Sequence, residues 1–151
     1  MKKKIDIGLI KKLREETGVA IIRIREVLEE VKGDEKKAFT ILKKEGLDKA
    51  EKREGRETSQ GKIFAYAHHT GKVVGIVELL CETDFVAKNE LFENLGKELS
   101  MQVASMGDED FTNQDYIKDG SKKVKDLIKE LIAKTGENVK LGRVQKLELG
   151  E

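Results

Sequence analysis

The chain has 151 residues, of which 39% are charged and only 5% aromatic. This length accommodates one ordinary domain or two small ones, and the apolar share of 38% favours small packed units with solvated helical faces. The formal net charge of +1 argues against a general nucleic-acid-binding surface, which usually needs a clear excess of basic side chains.

Cysteine content and hydropathy narrow the class of protein further. The single cysteine, Cys81, excludes an internal disulfide framework and a cysteine-rich metal site. No apolar run approaches the roughly 18 residues that a membrane span needs, and the basic start at residues 1–6 lacks the apolar stretch of a signal peptide. We therefore expect a cytoplasmic protein in a reducing compartment.

Three short helices are predicted in the first 47 residues. Asp6 is placed to cap the first helix and the pair Thr17-Gly18 to stop it, the second ends at Gly33, and the third runs from a cap at Asp34 to Gly46. Helices this short are not stable singly. We therefore expect them to pack as a small bundle, domain 1–47.

Residues 48–60 change the character of the chain, because they contain almost no apolar side chain. They predict a solvated helix or a tether, and we place a linker between two domains here.

The balance of basic and acidic side chains also changes near this boundary. Residues 1–57 hold 17 basic and 13 acidic side chains, whereas residues 58–151 hold 13 and 16. The first segment could steer towards an acidic protein surface, or its charges could simply form a solvated helical surface.

The remaining residues, 61–151, predict a second domain that contains strands and helices. Residues 62–69 alternate in hydropathy, Thr70-Gly71 supplies a turn and residues 73–80 form a longer apolar strand, which together indicate an antiparallel hairpin. Asn89 caps a helix, residues 107–120 are acidic and irregular, and Ser121 starts a last helix that Gly136 stops. An alternating strand ends the chain. The order ββααβ predicts a small antiparallel sheet with helices packed on one face, an α+β fold.

Residues 82–90 are the most suggestive candidate for a binding site. They connect a buried strand to a helix cap, and loops on a rigid frame are where binding residues collect. Phe85 lies between the charged Asp84 and Lys88, so an exposed ring could anchor in a pocket of a partner. The alternative is that Phe85 folds back into the core and Asp84 only caps the helix. The pattern does not decide between the two.

A second candidate is the apolar loop at residues 17–22, between the first two helices. Val19, Ala20, Ile21 and Ile22 follow a glycine turn, and such a loop is often exposed and adhesive. Alternatively, Ile21 and Ile22 fill the small core of the bundle, and we expect that one of them does.

The sequence offers no catalytic or metal-binding pattern. His68 and His69 are adjacent on a strand, so their side chains point to opposite faces, and no further ligand completes a set at metal-site spacing. Cys81 ends a buried strand without a marked base and is typical of a small buried hydrophobe. The glycines form no phosphate-binding loop. We expect no enzyme activity, no cofactor and no metal.

Three separated motifs resemble the elongation factor Ts family, in a short form with a single core unit. They are residues 13–18 (Leu-Arg-Glu-Glu-Thr-Gly), residues 81–89 (Cys-Glu-Thr-Asp-Phe-Val-Ala-Lys-Asn) and residues 132–138 (Ile-Ala-Lys-Thr-Gly-Glu-Asn). The middle motif is highly specific, and the resemblance covers nearly the whole chain. It implies a ubiquitin-associated-like helical domain at the N-terminus, followed by the α+β unit.

The resemblance also implies a function and a set of contact residues. Members of this family are guanine-nucleotide exchange factors for elongation factor Tu. An Asp-Phe pair enters the GTPase domain of the partner and disturbs the magnesium and phosphate site, so that GDP leaves. On the matching motif the partner-binding wedge is Thr83, Asp84, Phe85 and Val86. The matching contacts of the N-terminal domain are Lys11, Arg14, Val19, Ile21 and Ile22.

The span between Met106 and Ser121 is short for this family, and long members add a second core unit and a coiled coil. Short forms pair to rebuild the full core, so the resemblance implies a homodimer.

Two other functions remain open from the sequence. One is a ubiquitin-associated-like adaptor that binds through residues 19–22, which would leave residues 83–89 unexplained. The other is a small ribosomal RNA-binding protein, against which the acidic second segment argues.

Overall fold

The computed structural model describes residues 4–151, and it begins with three helices. These are α1 (Ile7–Thr17), α2 (Ile21–Glu30) and α3 (Glu35–Arg53). The Asp6 carboxylate caps α1 by accepting from the Gly8 amide at 3.0 Å, and Asp34 caps α3 by accepting from the Lys37 amide at 3.1 Å. Both predicted caps are therefore confirmed.

The three helices enclose a small core of their own. Its buried side chains are all aliphatic: Ile10, Leu13, Val19, Ile24, Val27, Leu28, Ala38 and Leu42. The predicted order of N-terminal helices followed by a small sheet is confirmed. The likeness of the helices to a ubiquitin-associated domain stays a prediction.

Helix α3 is longer than the sequence predicted. We expected it to end at Gly46, but it continues to Arg53, because one glycine inside a helix costs only about 1 kcal/mol. The glycine serves a close approach instead. A Cβ there would lie 3.3 Å from the carbonyl oxygen of Thr17 and 3.4 Å from Cβ of Ala133.

The extra turns of α3 take up part of the predicted linker, residues 48–60. Ala50 is fully buried there and packs into the core of the second unit. The boundaries of the two domains stay predictions, and the first three residues of domain 1–47 lie outside the described residues.

The second unit consists, in chain order, of β1 (Gln60–Ala67), β2 (Val73–Cys81), α4 (Asp84–Ala87), α5 (Glu90–Met106), a 3₁₀ turn (Phe111–Asn113), β3 (Asp115–Tyr116), β4 (Asp119–Lys123), α6 (Val124–Thr135) and β5 (Val139–Glu148). Strands β1, β2 and β5 form an antiparallel sheet with β2 in the centre. Asn89 caps α5 by accepting from the Leu91 amide at 2.8 Å, as predicted.

The main core lies between this sheet and the helices α5 and α6. Val77 is paired with Phe64 on β1 and Val144 on β5, and all three face the helices. The Phe64 ring lies 6.0 Å from that of Phe92 on α5. The predicted α+β arrangement, with helices packed on one face of an antiparallel sheet, is confirmed.

The other face of the sheet is largely apolar, with Gln145 and Lys140 among its polar side chains, and several of its apolar side chains are exposed. In the register of the strands, Ala67 on β1 and Leu147 on β5 flank Val74, and Ile63 lies further along the same face. Ile63 and Leu147 are 64% and 69% exposed. We call this surface the open sheet face.

Residues 107–123 are more regular than predicted, and α6 begins at Val124 rather than at Ser121. The Asp119 carboxylate accepts both the amide (3.1 Å) and the hydroxyl (2.6 Å) of Ser121. Ser121 is thereby held in the hairpin of β3 and β4, and the helix starts only where the Lys123 amide donates to Asp126 at 2.8 Å. The predicted order ββααβ therefore omitted one feature of the structure, the hairpin of β3 and β4 between α5 and α6.

The helical bundle packs directly on α6. At Gly18, which has a φ of 70°, a Cβ would lie 2.5 Å from Cα of Lys134. The Lys43 ammonium on α3 lies 3.8 Å from the Glu130 carboxylate on α6. None of the described helices is both long and apolar enough to cross a membrane.

Candidate functional site

Phe85 lies on α4, the single helical turn that joins β2 to α5. Its side chain is 82% exposed, whereas the next two residues, Val86 and Ala87, are buried in the main core. The open question from the sequence, whether Phe85 belongs to the core, is thus decided by its neighbours. They occupy the inward side of the turn and leave the ring on the outward side.

Asp84 shares the outward side of α4 with Phe85. Its carboxylate lies 3.5 Å from the Lys88 ammonium, and both side chains are largely exposed. An ion pair of this kind is screened by water and contributes little to stability. The charge of Asp84 therefore remains accessible to a partner.

Thr83 anchors the start of α4. Its amide donates to Oε1 of Glu137 at 3.0 Å and its hydroxyl donates to Oε2 of the same carboxylate at 2.7 Å. The Cys81 thiol donates to the Thr83 carbonyl oxygen at 3.1 Å. Burial raises the pKa of the Cys81 thiol, which keeps this donor protonated.

A second connection lies beside the first. The Asn138 amide donates to Oε2 of Glu82 at 2.7 Å, and the buried Asn138 side chain donates to the carbonyl oxygens of Glu54 and Arg56, at 3.2 and 2.8 Å. The motif at residues 132–138 thus braces the motif at residues 81–89 and also ties down the segment that follows α3. The bracing roles of Glu137 and Asn138 were not foreseen from the sequence.

The predicted contacts of the N-terminal domain divide into exposed and buried positions. Lys11 and Arg14 on α1 are exposed, and Ile22 is 74% exposed at the start of α2. We expected Ile21 or Ile22 to fill the bundle core, and this was wrong. Val19, only 5% exposed, fills it instead, because the turn at Gly18 directs the chain inward two residues before α2 begins.

The two predicted contact regions are anchored at the same end of α6. Gly18, next to the apolar loop, abuts Ala133 and Lys134, and Glu137, three residues further on, holds Thr83. Both regions therefore rest on residues 133–138, although about 65 residues of chain separate them.

The described residues contain no cluster of three or more His, Cys, Asp or Glu side chains that could hold a metal ion. The ring centroids of His68 and His69 lie 4.2 Å apart, and the hydroxyl of Tyr66 lies 3.1 Å from Nδ1 of His68. The expectation that the two histidines lie on a strand and point to opposite faces was wrong, because β1 ends at Ala67 and both residues belong to the turn of the hairpin.

Comparison with known proteins gives a consistent result. A family model described as "Elongation factor TS" matches residues 82–151. Proteins named elongation factor Ts from Leptospira biflexa and Thermotoga maritima are 38% and 39% identical over 189 and 193 aligned positions, which cover 93% and 97% of this chain and 96% and 97% of those proteins. The relative from Coprothermobacter proteolyticus is 35% identical, with 97% and 99% covered. Because these alignments are longer than 151 residues, the relatives contain residues with no counterpart here.

Proposed function

This chain belongs to the elongation factor Ts family, and from that premise we propose that it is a guanine-nucleotide exchange factor for elongation factor Tu, acting in the cytoplasm during translation elongation. The observation that carries the proposal is the exposed Phe85 ring on a braced helical turn. The factor acts through binding, without a catalytic site or cofactor of its own.

In the proposed mechanism, the Asp84-Phe85 wedge enters the GTPase domain of elongation factor Tu close to its magnesium and phosphate site. Phe85 fills a pocket in the partner beside Thr83, and Asp84 meets polar groups of the partner. Val86 was also expected to touch the partner, but its side chain is buried, so we propose that it supports the turn from the inside. Binding of the factor and binding of GDP then oppose each other, and by thermodynamic reciprocity each weakens the other by the same factor. The exposure of the Phe85 ring supports this mechanism, because the ring can reach the partner without a rearrangement of the factor.

The N-terminal bundle is proposed to grip the same GTPase domain. Ile21 and Ile22 present an apolar contact, and Lys11 and Arg14 supply positive charge on α1. Val19 was also expected to touch the partner. Because its side chain is buried, we propose that it acts mainly by holding the loop in shape.

We further propose that two copies of the chain associate through the open sheet face. A second copy is the occupant that suits this surface, because identical apolar faces can pair about a two-fold axis. The exposed Ile63 and Leu147 side chains support the proposal. Sedimentation equilibrium of the purified protein distinguishes a dimer from a monomer of 17.0 kDa.

The function is tested by loading elongation factor Tu with a fluorescent GDP analogue and adding this protein in catalytic amounts. We expect the release of the analogue to accelerate in proportion to the concentration of the factor. Release that stays at its spontaneous rate would contradict the proposal. A salt-sensitive association with ribosomal RNA would instead favour the RNA-binding alternative.

A further inference from the structure

We propose that Glu137 is the positioning residue of the Asp84-Phe85 wedge: its carboxylate sets the orientation of α4, and through it the rate at which the bound factor expels nucleotide. This inference rests on the exchange function proposed above. It concerns a residue far from Phe85 in the sequence and outside the proposed contact surface.

The geometry around Thr83 supports this role. The Glu137 carboxylate takes the Thr83 amide and hydroxyl in two parallel hydrogen bonds of 3.0 and 2.7 Å. The same hydroxyl oxygen caps α4 by accepting from the Val86 amide at 3.4 Å, and the Thr83 carbonyl oxygen accepts from the Ala87 amide at 3.3 Å. The carboxylate therefore fixes the residue from which the helical turn is built.

Glu137 is itself held in place by the end of α6. Gly136 ends that helix in the left-handed conformation, with a φ of 76°, and its amide donates to the Ile132 carbonyl oxygen at 2.9 Å. The Glu137 amide donates to the Thr135 hydroxyl at 3.4 Å. The brace thus connects α4 to a helix that is packed in the main core.

Such a brace is needed because α4 is a single turn. An isolated turn of helix is not stable by its own hydrogen bonds, and only Val86 and Ala87 anchor it by burial. Without the carboxylate, Phe85 would remain exposed and able to touch the partner, but its ring would sample several orientations. Misplacement of about 1 Å can lower a rate by orders of magnitude, so we expect the expulsion step to suffer more than binding.

The test compares Glu137→Ala, Glu137→Gln and Phe85→Ala by stopped-flow release of fluorescent GDP from elongation factor Tu at saturating factor. For Glu137→Ala we expect a maximal rate about tenfold below wild type, with a half-saturating concentration within about threefold of wild type. Glu137→Gln should recover most of the rate, because its amide can still accept the Thr83 amide hydrogen and donate to the Thr83 hydroxyl.

Two controls separate positioning from a general loss of structure. Glu98→Ala removes a carboxylate that also has two partners, Tyr116 at 3.0 Å and Lys118 at 2.6 Å, but does not touch α4, and it should exchange normally. In the Phe85→Ala background, Glu137→Ala should lower the rate no further. Hydrogen exchange should accelerate at the Val86 and Ala87 amides in Glu137→Ala, with the amides of α5 unchanged.

The outcomes are distinguishable. If the wild-type protein releases no GDP, the exchange function fails and this inference with it. If the wild-type protein is active and Glu137→Ala is as fast, or loses affinity alone, or slows the Phe85→Ala variant equally, then Glu137 does not position the wedge and the exchange function stands.

Discussion

Two exposed apolar side chains of the predicted contact regions, Phe85 on α4 and Ile22 near the start of α2, are held in different ways. Helix α4 starts at a threonine whose amide and hydroxyl both bind a distant carboxylate. Helix α2 starts at Ile21 after Ala20, which provides no side-chain cap, and the helix depends on the burial of Val19 and the contact of Gly18 with α6. Directional hydrogen bonds specify an orientation, whereas apolar packing specifies a position, so the two regions should respond differently to mutation.

The largest expected effect concerns the packing that supports the Ile22 region. Gly18→Ala places a Cβ 2.5 Å from the backbone of Lys134, at a φ of 70°. The left-handed conformation costs about 1–2 kcal/mol and the overlap about 1–3 kcal/mol more. We expect urea denaturation to give a free energy of unfolding about 3 kcal/mol below wild type.

Gly71→Ala is the matched control, because Gly71 has the same φ of 70° and nothing within 4 Å of the added Cβ. It should show only the conformational cost of about 1–2 kcal/mol. The difference between the two variants measures the contact between the bundle and α6. Equal costs would mean that this contact is not tight in solution.

The next prediction compares Phe85 and Ile22 in their contributions to nucleotide exchange. Truncation of an interface anchor typically costs about 2 kcal/mol or more, so Phe85→Ala should lower the efficiency of GDP release about 30-fold. Ile22→Ala should cost about 1 kcal/mol and act mainly on the affinity for elongation factor Tu. Neither change should shift the thermal unfolding midpoint much, because both side chains are exposed.

Titration of the factor against elongation factor Tu loaded with fluorescent GDP gives both the maximal rate and the half-saturating concentration. A Phe85→Ala variant that reaches the wild-type maximal rate would show that the wedge has been assigned to the wrong residue. An Ile22→Ala variant with the larger loss would reverse the proposed roles of the two regions.

The sequence predicted the features that depend on local chemistry. Asp6, Asp34 and Asn89 cap the helices that they were expected to cap, since a capping carboxylate or amide and its amide partner lie two or three residues apart. The hairpin of β1 and β2 was predicted for the same reason, because its turn at Thr70-Gly71 and its apolar strand residues are local features of the sequence.

The features that escaped prediction depend on contacts between distant segments. Helix α3 continues past Gly46 because Ala50 is buried in the core of the second unit, which no local pattern reveals. Phe85 could be read as core or surface until the inward side of α4 was known to be filled. The carboxylate of Glu137 reaches Thr83 across 54 positions, and although Glu137 lies in the motif at residues 132–138, nothing in the sequence indicates that its partner is Thr83.

The smallest expected effect concerns the ion pair between Arg23 on α2 and Glu45 on α3. Arg23, two positions after Ile21, donates to the Glu45 carboxylate at 2.7 and 3.0 Å, and this hydrogen bonding lowers the pKa of Glu45 from its ordinary 4.5. A carboxyl group whose pKa is depressed by folding stabilises the protein above its unfolded pKa, and this contribution is lost as pH falls through the folded pKa.

Glu45→Gln should therefore lower the free energy of unfolding at pH 7 by at most about 1 kcal/mol, since the pair is partly screened by water. Below the lowered pKa of Glu45 the variant and the wild type should converge, because the wild-type carboxyl is then neutral as well. Glu15→Gln, which removes the same charge from an exposed position on α1, is the control for net charge. A difference between Glu45→Gln and wild type that persists under strongly acidic conditions would show that the charge of Glu45 is not what stabilises the junction of α2 and α3.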